Sequence, residues 1–259
     1  SPASVELTRP VLILAGGAVS LNQSETRSQI TARLKRVFAG LTGTVISGGT
    51  DCGVPGCAGE AAAGLGAECA FTLVGFRPRL LPDDAPADRR YDRQIISGED
   101  HFTPAQVIHC WEKLLNDGVA PSEVRLLGIG GGPIAAFEYR LALALGALVG
   151  VVESSGGTAD VLLQDLVWAA LPNLLPLPDD PDTLRAFAHP AAALPFSDDV
   201  LDEMAKAFHA NYVAGNQNKL PSNMKPWSKL DETYRIANRE QARYVVKILE
   251  SCGFQVRPA

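Results

Sequence analysis

With 259 residues, 46% of them hydrophobic, the chain can bury a sizeable core, which excludes wholesale disorder and leaves room for a large domain with a small one. A net charge of −6 excludes a general nucleic-acid surface, which is usually basic. Five scattered cysteines, Cys52, Cys57, Cys69, Cys110 and Cys252, are an odd set without a repeating frame, which argues for a reducing compartment rather than a disulfide scaffold. No second Cys/His pair joins Cys52 and Cys57 at zinc-like spacing, so no metal is expected. No signal peptide is visible, and the apolar run "LALALGALVGVV", bounded by Arg140 and Glu153, is too short to cross a bilayer. A cytoplasmic location is expected. The sequence starts at "SPAS" without methionine, as an excised or processed piece would, and an effector or membrane module outside it is compatible with that start.

In chain order, "PVLILAG" predicts a buried strand, and Ile30, Leu34, Val37 and Phe38 recur at helical spacing after a polar start at 22–24. The basic set Arg27, Arg33, Lys35 and Arg36 reads as the solvated face of that helix. "TVIS" predicts the second strand, "EAAAGLG" a helix and "CAFTLVGF" the third strand. Residues 77–102 read as a long polar loop. Thr103 is expected to cap a helix with Pro104 at its first position, ending at Gly118. "VRLLGI", "AAFEYRLALALG", "ALVGVV" and "TADVLLQDLVWAAL" then predict strand, helix, strand and helix. Continuously apolar strands joined by helices predict an α/β fold, a Rossmann-like, mainly parallel sheet with helices on both faces.

Residues 173–194 are rich in proline and read as a linker between a domain at 1–172 and a small, mainly helical one at 195–259. In the latter, "SDDVLDEMAKAFHANYV" with Ser197 as cap and "DETYRIANREQARYVVKILESCG" ending at Gly253 predict helices, and "FQV" a short strand. A domain this small is marginal alone, so it is expected to dock on the larger one or to dimerise, and a homo-oligomer is compatible with either.

Glycines cluster after strand one (Gly16, Gly17), strand two (Gly48, Gly49, Gly53) and strand four (Gly130, Gly131, Gly132). A fourth loop, "ESSGGT", runs from Glu153 through Gly156 and Gly157. In a parallel sheet these four loops share the C-terminal edge, where ligands bind. Glycine removes the Cβ that would block an anion from the N–H groups opening each helix. A phosphate-bearing small molecule is therefore expected. No GxxxxGK[ST] is present and no clean GxGxxG follows strand one, which disfavours a P-loop NTPase and an ordinary NAD dehydrogenase.

These residues resemble a known family. "ISGGTDCGVPGCAGEA" is similar to the "TGG…TGV…HVGEA" signature of the SLOG domain of melastatin-type TRP channels, and "VVESSGGTADVLLQDL" to their "VVEGSGRVADVI". "LLGIGGGPIAAFEYRLALALGA" fits between the two, and the resemblance spans about residues 8–172. It implies a nucleotide-binding SLOG domain whose relatives in channels and bacterial defence proteins sense ADP-ribose or cyclic relatives. By this match Gly48, Gly49, Thr50, Gly53, Val54, Ser154, Ser155, Gly156, Thr158 and Asp160 line the ligand site. The link through "VGFRP" makes Arg77 either a phosphate contact or a plain surface arginine.

SLOG domains also include the Lonely Guy phosphoribohydrolases, which carry GGxGTxxE. Over "GGPIAAFE" this places Gly131, Gly132 and Glu138 on the motif, with Ile134 and Ala135 where glycine and threonine belong. Glu138 is then an N-glycosidase carboxylate, a ribose hydroxyl acceptor or an ordinary helix residue. A bulky Ile134 and a lost hydroxyl at Ala135 disfavour catalysis. The tail, over residues 195–257, resembles the ryanodine-receptor repeat domain, with Pro226, Trp227, Leu230, Tyr234, Arg235, Asn238 and Ala242 on its pattern. A shorter central loop and Ile236 beside Arg235, where the family has Asp-Arg, are departures. Trp227, Tyr234, Arg235 and Asn238 either line a ligand pocket or, for the aromatics, fill a small core. The reading that results is a sensor pair that binds a nucleotide-derived signal and relays it to an effector. A nucleotide N-glycosidase using Glu138 and a ligand-free interaction module are the alternatives.

Overall fold

The computed structural model describes residues 6–17, 24–189, 198–215 and 225–251. In chain order the first part runs β1 (Val11–Gly16), α1 (Ser24–Phe38), β2 (Thr42–Ser47), α2 (Gly53–Leu65), β3 (Ala70–Arg77), β4 (Arg93–Ile96) and α3 (Pro104–Asn116). It continues with β5 (Val124–Ile129), α4 (Pro133–Leu145), β6 (Leu148–Val152), α5 (Gly157–Gln164), β7 (Leu174–Leu177) and α6 (Pro181–Ala188). The strands form one seven-stranded sheet in the order β4-β3-β2-β1-β5-β6-β7, every pair parallel. This is the Rossmann-like α/β architecture expected.

Period-two side chains explain why the central strands carry apolar residues on both faces. Leu12 and Leu14 of β1 pack with α1, α2 and α6 through Leu34, Phe38, Ala58 and Phe187. Val11 and Ile13 pack on the other face with Trp111 and Leu114 of α3 and with Tyr139 of α4. Thr103 caps α3 as its sequence predicts. Its Oγ1 accepts from Ala105 N at 3.2 Å, and Gln106 Oε1 accepts from Thr103 N at 3.1 Å.

Three segments differ from their reading. The loop at 77–102 contains β4, which extends the sheet beside β3. The helix expected through Leu171 stops at Gln164, because Asp165 Oδ1 accepts from Val167 N and Trp168 N in a local turn that competes with the helix. The proline-rich stretch is no linker over 174–188, where β7 pairs with β6 and α6 packs on α1, burying Leu174, Leu177, Leu184 and Phe187. Its prolines sit where no N–H is needed: Pro176 on an edge strand and Pro181 in the first turn of α6, capped by Asp180.

The chain divides into two compact units, Ser1–Pro190 and Ala191–Ala259. The second holds α7 (Asp198–Gly215) and α8 (Glu232–Ser251). Arg239 of α8 pairs with Asp202 of α7 and, at 2.7 Å, with Glu232. Leu201, Ala205, Leu230 and Ala242 are buried. The expected cap at Ser197, stop at Gly253 and strand "FQV" lie outside the described residues. No described helix is long and apolar enough to cross a membrane.

Candidate functional site

From β1 the chain steps outward through β2, β3 and β4, then returns by α3 to β5 on the other side of β1. The strand order therefore reverses between β1 and β5, and a crevice opens at their C-terminal ends. A cavity of about 630 Å³ lies there. Gly16 and Gly17 at the end of β1, Gly48 and Thr50 after β2, and Gly131 and Gly132 after β5 form its rim, and Gly157 also reaches it. Phe76 of β3 and Phe102, together with Gln106, Val107 and Cys110 of α3, supply a wall, while Ile134 and Glu138 of α4 complete it.

The helices entering this edge lack side-chain caps, but backbone carbonyls take N–H groups of two of them: Val54 N of α2 donates to Gly17 O at 3.4 Å, and Thr158 N and Ala159 N of α5 donate to Gly131 O and Gly130 O at 3.0 Å. Cys52 before α2, Gly132 before α4 and Gly156 before α5 provide no side-chain cap, whereas α3 and α6 are capped by Thr103 and Asp180. Cys52 and Gly132 both line the cavity, so the N-terminal ends of α2 and α4 face it, and the first turn of α4 lines it with Ile134 and Ala135. Among the described residues no lysine or arginine lines it.

Glu138 is the one acidic side chain in the lining, and among the described residues it has no hydrogen bond or ion pair. Burial pushes its carboxyl from an ordinary 4.5 up to about 7. Burial, with Glu138 second, also raises the pKa of the Cys110 thiol. Between β3 and β4 the loop is tied over the β2 exit: Asp88 N donates to Gly49 O at 3.0 Å, and Asp51 N donates to Pro86 O at 2.9 Å. The Arg90 guanidinium grips buried Asp88 through two 2.8 Å contacts, and it also pairs with Asp51. This anchoring sets Ala85 into the cavity wall.

Residues 9–179 match the family model described as SLOG in TRPM, prokaryote. The chain belongs to that family. No curated protein matches it. Among solved structures, the structural-genomics target TM1055 is similar at 20% identity and TM-score 0.49, covering 67% of this chain and 94% of that one. The molybdenum cofactor carrier protein of Chlamydomonas reinhardtii is similar at 18% and 0.48, covering 68% and 94%. The molybdenum cofactor binding protein of Rippkaea orientalis is similar at 18% and 0.47, covering 67% and 91%. Likeness at this level says nothing of the ligand.

The SLOG domain distributes its expected site residues over two faces of the crest. Gly16, Gly17, Gly48, Thr50, Gly131, Gly132, Glu138 and Gly157 line the large cavity. Gly17, Val54, Ser154 and Ser155 line a second one of about 200 Å³, with Thr26, Gln29 and Arg33 of α1 and Asp179. Gly49, Gly53, Arg77, Gly130, Glu153, Gly156, Thr158 and Asp160 line neither. Several of these lace the loops together. Thr158 N and Ala159 N donate to Gly131 O and Gly130 O at 3.0 Å, and Gly156 N donates to Asp160 Oδ2 at 3.2 Å. Gly130 N donates to Ser155 Oγ at 2.9 Å. Arg77 Nη1 donates to Pro78 O at 3.1 Å, away from both cavities. In the small unit, Arg235 Nε donates to Trp227 O at 3.2 Å, and Asn238 Nδ2 donates to Tyr234 O at 2.7 Å, while the Tyr234 ring is exposed.

Sequence reasoning missed the α3 wall. The signal was a glutamine in an apolar stripe, Gln106 beside Val107, Cys110 and Trp111. It also missed Arg33 and Asp179, whose sequence contexts are those of a helix surface and a linker. Among the described residues no group of three His, Cys, Asp or Glu is arranged to hold a metal.

Proposed function

We propose that the SLOG domain binds a nucleotide-derived small molecule in the large crest cavity and serves as the sensing half of a two-module protein. The observation that carries this reading is the cavity itself: about 630 Å³ at the strand-order reversal, apolar within and rimmed by two helix N-termini that lack side-chain caps. An aromatic base suits the wall of Phe76, Phe102 and Val107, and phosphates suit the N-terminal end of α4, whose first-turn Ile134 and Ala135 line the cavity. ADP-ribose or a cyclic relative is the ligand that the family resemblance implies. The C-terminal module, read as a ryanodine-receptor-type domain on its sequence resemblance, would pass the event to an effector in stress or phage-defence signalling. A thermal-shift screen over ADP-ribose, its cyclic isomers, NAD, cyclic dinucleotides and nucleoside monophosphates tests this. A ligand at a hundred times its Kd adds about 2.7 kcal/mol, a rise of about 5–10 °C in a domain of this size. No shift with any of them contradicts the reading.

One observation favours a second reading. A carboxyl held near 7 inside a ligand-sized cavity is suited to proton transfer, as an N-glycosidase requires. Ile134 and Ala135, which replace the glycine and threonine of the phosphoribohydrolase motif, both line the cavity and count against it. Release of free base from AMP, ADP-ribose or NAD that disappears in Glu138→Ala would put this reading first.

A further inference from the structure

We propose that the second crest cavity is a subsite for a pentose, the distal sugar of a ligand whose other end occupies the large cavity. This rests on the proposed function, because it needs the ligand anchored in the large cavity. Gly17 lines both cavities, so the two meet at the exit of β1. At about 200 Å³ the second falls below the ~300–1,000 Å³ usual for whole small-molecule ligands, and suits one ring rather than a nucleotide.

Its chemistry is that of a sugar site. Asp179 brings only acceptors, Arg33 brings only donors, and Ser154 and Gln29 supply both. Each sugar hydroxyl donates one hydrogen bond and accepts others, so a vicinal diol can bridge the two oxygens of a carboxylate while a neighbouring guanidinium donates to it. Among the described residues no aromatic side chain lines the cavity. Arg33 comes from α1 and Asp179 from just past the end of β7; they pair at 2.7 Å and leave the carboxylate side chain 45% exposed. Ser154 adds an independent observation. It is the single non-glycine residue among those described with a left-handed backbone, at φ 56°. Such a conformation costs about 1–3 kcal/mol and concentrates at ligand sites. A plain structural tether between α1 and the end of the sheet is the competing account, but Arg36 and Asp182, at 3.4 Å, already provide one nearby at the surface.

The test compares ADP-ribose, which carries a distal ribose, with ADP, which lacks it, by calorimetric titration. Wild-type protein should bind ADP-ribose about tenfold or more tighter than ADP, as loss of charge-assisted hydrogen bonds implies. Asp179→Asn, a change of equal size, should bring the two affinities to near parity while leaving ADP binding unchanged. Arg33→Ala should do the same. The ADP titration reports in the same sample that the large cavity is intact. Equal affinities in the wild type, or a preference that survives in Asp179→Asn, would overturn the pentose subsite and leave the proposed function standing. Binding of neither compound, and of nothing else in the thermal-shift screen, would overturn both.

Discussion

Glu138 is a carboxyl whose proton is held by burial, and that has a consequence for stability. Its ordinary value of 4.5 rises to about 7 in the fold. Between those values the folded chain holds a proton that the unfolded chain has released, so stability from this group is present below pH 4.5 and is lost as pH rises through 7. Glu138→Gln removes the dependence. Its stability relative to wild type should rise by about 1–3 kcal/mol between pH 5 and pH 8, read from urea melts at the two values. A constant difference would contradict it. Glycines separate in the same way, by what surrounds them. At Gly49, φ is +72°, and a Cβ would lie 2.6 Å from Gln94 Oε1 and 2.9 Å from Gly75 Cα. Gly49→Ala should therefore destabilise the fold by about 1–3 kcal/mol in denaturant melts, whatever it does to ligand. At Gly132 a Cβ meets nothing within 4 Å. Both were legible in the sequence as crest glycines. Their difference was not, because it is set by Gly75 and Gln94, which are distant in sequence.

At the scale of elements, long apolar strands and capped helices were readable because each carries its signal locally, as Thr103 with Gln106 does for α3. Elements fixed by distant partners were not. Sheet edges are one case: β4 has the pattern "RQII" and gains its identity only by pairing with β3. The segment 174–188 shows prolines where a linker would, yet Phe187 is 2% exposed and its carbonyl accepts from Arg125 of β5. Phe187→Ala should cost about 3–5 kcal/mol in urea or thermal melts. A cost under about 1 kcal/mol, the usual range for a surface site, would mean that α6 is peripheral to the core.

For the whole molecule, the SLOG domain as a sequence pattern ends at residue 172, whereas the compact unit runs to Pro190 because β7 and α6 close its edge. A chain ending at Pro190 should keep that unit intact, whereas one ending near 180 would strip Leu184 and Phe187 from α1. If the two units form a relay, removing Ala191–Ala259 changes ADP-ribose affinity by about threefold or more, since coupling is a reciprocal free energy. Equal affinities would make them thermodynamically independent.

The claim on which the rest depends is that the large crest cavity holds the ligand, and Gly132→Val tests it most directly. Gly132 lines the cavity at φ −106°, a backbone that valine adopts freely, and its Cβ position is open. The variant should melt within about 2 °C of wild type, as a change without strain or clash implies. Its affinity for ADP-ribose, titrated beside the wild type, should fall by about tenfold or more because the new side chain occupies ligand space. Unchanged affinity in a variant that melts like the wild type would place the ligand somewhere other than this cavity.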